Sequence, residues 1–139
     1  MRKNLLICVI IILSSLISFS VFAQTPQMSA GLTWLNSAQT TTGNWPAVET
    51  DEYFSTAAAL DAAYALEPTS ETYITALQWM NGQIVSPTDY LSRRIIFLKR
   101  SGLDAASELE GLLIYRNADG GWGWKAGYPY YILDTALAL

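Results

Sequence analysis

Cysteine and histidine are nearly missing from this chain: its 139 residues hold one cysteine, Cys8, and no histidine. Cys8 sits in an N-terminal segment that reads as removable, so the remainder has no disulfide to hold it and no thiolate or imidazole to bind zinc. Charge is also scarce, at 14% of residues, and twelve acidic residues outnumber eight basic ones. A nucleic-acid backbone is recognised by clustered Lys and Arg, so nucleic acid is excluded as a partner. What remains is an apolar composition of 51%, which suits a buried core rather than disorder.

The first residues, Met1-Arg2-Lys3-Asn4, precede an apolar run from Leu5 to Leu13 and a looser stretch ending Val21-Phe22-Ala23-Gln24. A charged start, a short apolar centre and small residues at Val21 and Ala23 describe a signal peptide (1–23) cleaved between Ala23 and Gln24. The alternative is an uncleaved anchor, because no charge interrupts Asn4 to Ala23. Serines from Ser14 onward break the apolar run and favour cleavage. The chain is therefore expected to be exported, whether periplasmic, at the cell surface or secreted, with no membrane contact once the signal is gone. Losing Arg2 and Lys3 leaves six basic residues against twelve acidic ones, a net charge of −6.

The mature chain reads as all-α. Residues 24–28 form a short polar lead to a repeat domain over 29–139, and Leu32, Leu35 and Ala38 fall at helical spacing. Thr40-Thr41-Thr42-Gly43-Asn44-Trp45-Pro46 opposes helix and predicts a turn. Thr56 to Leu66 is rich in alanine and predicts a second helix, with Ser55 or Thr56 as cap and Pro68 beyond its end. Further helices are expected over Ser70–Asn81, Thr88–Ser101 and Asp104–Tyr115. Asn117 to Trp124 is a glycine-rich turn, and a sixth helix opens at Asp134.

These helices repeat. Gly43-x-Trp45 and Gly120-x-Trp122 lie 77 residues apart, and Thr56 and Thr135 open similar segments 79 apart. Trp79 and Gln83 stand 44 residues after Leu35 and Gln39, and Leu112 and Arg116 another 33 on. The middle copy lacks the Gly-x-Trp turn. Three hairpins of two helices follow, with a period shared by many helical repeats.

Gly31 to Trp45, with Trp34, Leu35, Gln39, Gly43 and Trp45 in register, resembles the QW repeat of squalene-hopene and oxidosqualene cyclases, whose toroid is related to that of protein prenyltransferases. Asn117-x-Asp119-Gly120-x-Trp122 resembles the same element, with Arg116 in place of the usual glutamine. The resemblance implies a partial α6/α6-type toroid in which helices before each turn form an outer ring and helices after it an inner ring. It makes Trp34, Gln39, Gly43, Trp45, Trp79, Gln83, Asp119, Gly120 and Trp122 structural. A glutamine at a helix end can serve orphan backbone groups while an indole shields them from water.

The family's chemistry finds no match. The cyclases' Asp-x-Asp-Asp acid is absent, as are the prenyltransferases' zinc ligands and the thioester element of complement-type toroids. The acidic stretch Glu49-Thr50-Asp51-Glu52 precedes an inner helix, as do Asp89 and Asp134, which predicts capping rather than catalysis. Asn117-x-Asp119-Gly120 lacks the further oxygen ligands of a calcium loop, and no catalytic residue, metal site or cofactor is assigned. Arg93-Arg94 and Lys99-Arg100 are expected on a solvated helix edge. Trp122, Trp124, Tyr128, Tyr130 and Tyr131 form an aromatic cluster that is either a packed turn or a surface for a glycan or apolar ligand. The expectation is a non-catalytic exported toroid domain for ligand or partner binding. It is also expected to be a fragment of a longer protein, whose other domains are then its partners. The alternatives are a terpene-cyclase-type enzyme with its acid beyond residue 139, and an extracellular corrinoid-type carrier.

Overall fold

The computed structural model describes residues 25–47 and 51–139. The expected cleavage site at Ala23 and Gln24 lies outside them, as do Glu49 and Thr50. Among the described residues there are six helices: α1 (Pro26–Ala38), α2 (Glu52–Leu66), α3 (Glu71–Gly82), α4 (Thr88–Arg100), α5 (Ala106–Leu113) and α6 (Ile132–Ala138). The one extended pairing among them is an isolated bridge between Arg116 and Trp122, so the described chain is all-α. Among the described residues no helix is long and apolar enough to cross a membrane.

Local chemistry sets the helix starts, and it moves those of α1 and α2 furthest from the expected positions. The polar lead is helical from Pro26: Thr25 accepts a hydrogen bond from the Met28 N–H at 3.2 Å, and a proline at the first helical position has no N–H to satisfy. In α2 the cap is Asp51, accepting from the Tyr53 N–H at 2.7 Å, and neither Ser55 nor Thr56. Both hydroxyls are engaged with the preceding turn instead. Thr56, fully buried, accepts from the Trp45 N–H at 3.1 Å, and Ser55 donates to the Trp45 carbonyl at 2.8 Å. Ser70, expected as the first helical residue, is instead the cap of α3, accepting from the Tyr73 N–H at 3.2 Å, and α4 starts directly after Pro87.

Packing alternates along the chain. α2 contacts α1, α3 and α4, and α4 contacts α3, α5 and α6. Close approach around α2 depends on its alanines: Ala57, Ala59 and Ala63 are buried with Leu60, against Tyr73, Ala76, Leu77 and Met80 of α3 and Phe97 of α4. Leu91, Leu112 and Trp122 form a second, smaller core under α4. Burying side chains of the size of Phe97 or Leu60 stabilises by about 1.5–3 kcal/mol each. These two cores hold α2, α4 and α6 side by side with their first turns at one end, where the site lies.

Candidate functional site

The two Gly-x-Trp turns share one set of contacts. Trp45 Nε1 donates to the Leu35 carbonyl and Trp122 Nε1 to the Leu112 carbonyl, both at 2.9 Å, and both rings are buried. Each backbone N–H goes to a threonine hydroxyl on the next helix, Thr56 or Thr135, at 3.1 and 3.0 Å. Gly43 and Gly120 hold φ of 98° and 93°, a left-handed conformation that favours glycine. The indole is therefore a second donor to a carbonyl near the end of the preceding helix, beside the Gln39 N–H at Leu35 and the Tyr115 N–H at Leu112. Gln39 serves the turn rather than the helix end. Its Nε2 donates to the Gly43 and Thr72 carbonyls, both at 2.9 Å, bracing the turn against α3. Arg116 takes over part of this role, donating to the Gly120 carbonyl at 3.3 Å with its guanidinium over the Trp122 ring. Asp119 accepts from the Gly121 N–H at 3.0 Å, a local turn contact.

The middle copy has no such tryptophan, and an arginine serves its helix end. Arg94, expected on a solvated edge, is buried. Its Nη2 donates to the Met80 carbonyl at 2.9 Å and to the Gln83 carbonyl, and Nη1 lies 3.7 Å from Glu108. Gln83 turns back to donate to the Trp79 carbonyl at 3.1 Å. Trp79 is half-buried beside Tyr53, whereas Trp34 stands exposed on α1.

The expected aromatic cluster divides. Trp122 is 5% exposed with its N–H committed, so it belongs to the core and not to a ligand surface. Trp124, Tyr128, Tyr130 and Tyr131 instead form one wall of a cavity of about 710 Å³, whose other lining includes Asp51, Pro87, Asp89, Tyr90 and Asp134. The wall is held by backbone contacts. Thr88 receives it at the start of α4, donating its N–H to the Trp124 carbonyl at 2.9 Å. Tyr131 N–H donates to the Trp122 carbonyl at 2.8 Å, and Asn117 Nδ2 to the Tyr128 carbonyl at 3.0 Å. Gly123 permits this fold-back, since a Cβ there would lie 2.4 Å from the Pro129 carbonyl oxygen. Trp124 and Tyr128 meet edge to face at 5.5 Å.

The three aspartates come from the first turns of α2, α4 and α6, and they are not alike. Asp51 is the α2 cap. Asp89 does not cap α4; its Oδ1 pairs with Arg93 Nε at 2.5 Å. Asp134 caps nothing either and is 7% exposed, and burial together with the neighbouring Asp89 raises its pKa above the ordinary carboxylate value. Tyr90 stacks on Tyr53 at 4.6 Å, and Tyr53 donates to the Tyr90 carbonyl at 3.1 Å. Burial pushes both phenols up to about 12, with the Asp51 carboxylate adding to the effect at Tyr90. Among the described residues no three His, Cys, Asp or Glu side chains gather closely enough to share a metal ion. The arrangement offers aromatic faces and carboxylates around a cavity of small-molecule size.

Set beside known proteins, the chain matches no family model, no curated protein and no solved structure.

Proposed function

We propose that this chain is a non-catalytic, exported ligand-binding domain of the α/α-toroid type, with its site where the first turns of α2, α4 and α6 meet the aromatic wall. The observation that carries the reading is the cavity shared by Trp124, Tyr128, Tyr130 and Tyr131 with three aspartates from three separate helices. A packed turn would bury those rings, yet all four are about half exposed or more. The toroid assignment is supported by the alternation of contacts, with α4 adjoining both α2 and α6, and α1, α3 and α5 each lying against one or two of these three. It is supported too by the identical indole-to-carbonyl contacts of the two QW-like turns. The non-catalytic assignment follows from the missing Asp-x-Asp-Asp acid and zinc ligands.

The reading is tested by titrating the full chain, produced with its own leader, against neutral oligosaccharides, amines and apolar small molecules, with amide and indole NMR shifts as the readout. Ligand-dependent shifts at Trp124 and Tyr131, absent in Trp124→Ala, are expected. No response to any class would refute binding at this site. N-terminal sequencing of the exported product should begin at Gln24; an intact Met1 would refute signal cleavage.

A further inference from the structure

Resting on the reading of this cavity as a binding site, we infer that its ligand carries a positively charged alkylammonium group. Asp134 is the decisive residue. It is only 7% exposed, lines the cavity, and makes no hydrogen bond or ion pair among the described residues, while its charged neighbour Asp89 repels it. Its carboxylate carries no protein partner among the described residues and opens only onto the cavity, where a charge set in partly desolvated surroundings is held best by an opposite one. A cation in the cavity is placed to be that partner.

The surroundings define its chemistry. Asp51, Asp89 and Asp134 line the cavity and no Lys or Arg does; Arg93 compensates Asp89 alone. A neutral sugar would leave that excess charge in place, and an anion would add to it. Aromatic faces attract cations through their ring quadrupole, most strongly when water is excluded. The wall shows this at its outer edge, where the Lys125 ammonium sits 4.4 Å from the Trp124 ring centre. A bare metal ion would need its oxygen ligands gathered at bonding distance, and these carboxylates are not so gathered. An alkylammonium group meets both features, charge against Asp134 and methyl or methylene surface against the rings.

Choline and its uncharged isostere 3,3-dimethylbutan-1-ol separate charge from shape when titrated into the full chain at constant ionic strength, followed by NMR. Choline is expected to shift the Asp134 and Trp124 signals and to bind at least about tenfold more tightly than the isostere. Asp134→Asn keeps the side-chain shape while removing the charge, and should abolish that preference without weakening the isostere. Trp124→Ala should weaken choline. Equal affinity for the two probes, or choline binding untouched by Asp134→Asn, would overturn the cation inference and leave a binding site of other specificity. Silence toward both probes, with a neutral oligosaccharide or an apolar molecule shifting the same signals, would do likewise. Silence toward every ligand would overturn the inference and the binding reading together.

Discussion

The indole N–H groups of Trp45 and Trp122 each donate at 2.9 Å to a carbonyl ten residues earlier in the chain. Phenylalanine at either position keeps most of the apolar surface and removes one of two donors, leaving the Leu35 carbonyl with the Gln39 N–H and the Leu112 carbonyl with the Tyr115 N–H, each at 3.1 Å. Each substitution should cost about 0.5–1.5 kcal/mol in urea denaturation; no measurable loss would mean that water replaces the indole. The glycines separate two other residue-scale effects. Gly43 has φ of 98° and a Cβ there would come 2.5 Å from the Thr75 carbonyl oxygen, whereas Gly102, at φ of 70°, has open space around it. Gly102→Ala should cost about 1 kcal/mol, the left-handed penalty alone. Gly43→Ala adds a backbone clash and should exceed about 3 kcal/mol, and equal losses would show that α3 gives way freely.

At the scale of the helix, the end of α3 depends on an arginine from α4. Arg94→Met fills similar space but withdraws the donor from the Met80 and Gln83 carbonyls, and should destabilise by about 3 kcal/mol. Glu108→Gln touches only the 3.7 Å ion pair and should cost under about 1 kcal/mol. If the two losses were equal, the ion pair and not the helix end would be what Arg94 serves. The burial of Arg94 was open to reading in the sequence. Tyr90, Leu91, Arg94, Phe97 and Leu98 follow helical spacing, which puts Arg94 on the apolar face; adjacency to Arg93 suggested an exposed edge instead. The ranges of α3 and α4 were legible to within a residue because their punctuation is local: Ser70 caps the one, Pro87 precedes the other and Gly102 follows it. The start of α2 was not, because the hydroxyls of Ser55 and Thr56 look like caps until the Trp45 turn folds onto them.

Across the whole molecule, the aromatic wall was visible in the sequence because Trp124, Tyr128, Tyr130 and Tyr131 are neighbours in the chain. Its acidic counterpart was not, since Asp51, Asp89 and Asp134 meet only when three hairpins pack, and each alone resembles an N-terminal cap. Their meeting has a signature in the dependence of stability on pH. Asp134 has a folded-state pKa above its unfolded value, so the native state holds more protons between the two, and stability falls as pH rises through that window. Above it the charged group, facing Asp89, is a standing penalty. Asp134→Asn should therefore raise the melting temperature at neutral pH and lose that advantage below the ordinary carboxylate value of 3.8, where wild type is protonated in both states. Tyr53 and Tyr90 act at the opposite end. Both are raised from 10.0 to about 12, so the stability they contribute below pH 10 is lost progressively up to pH 12. Phenylalanine at Tyr90 should flatten that alkaline decline, and an unchanged decline would place the lost protons on other tyrosines. An ammonium ligand paired with Asp134 should suppress the first effect and leave the Tyr53 part of the second intact, since it relieves the carboxylate without reaching the buried Tyr53 phenol, whereas Tyr90 lines the same cavity. Melting curves of wild type with and without choline, at neutral and at alkaline pH, measure both limbs in one protein.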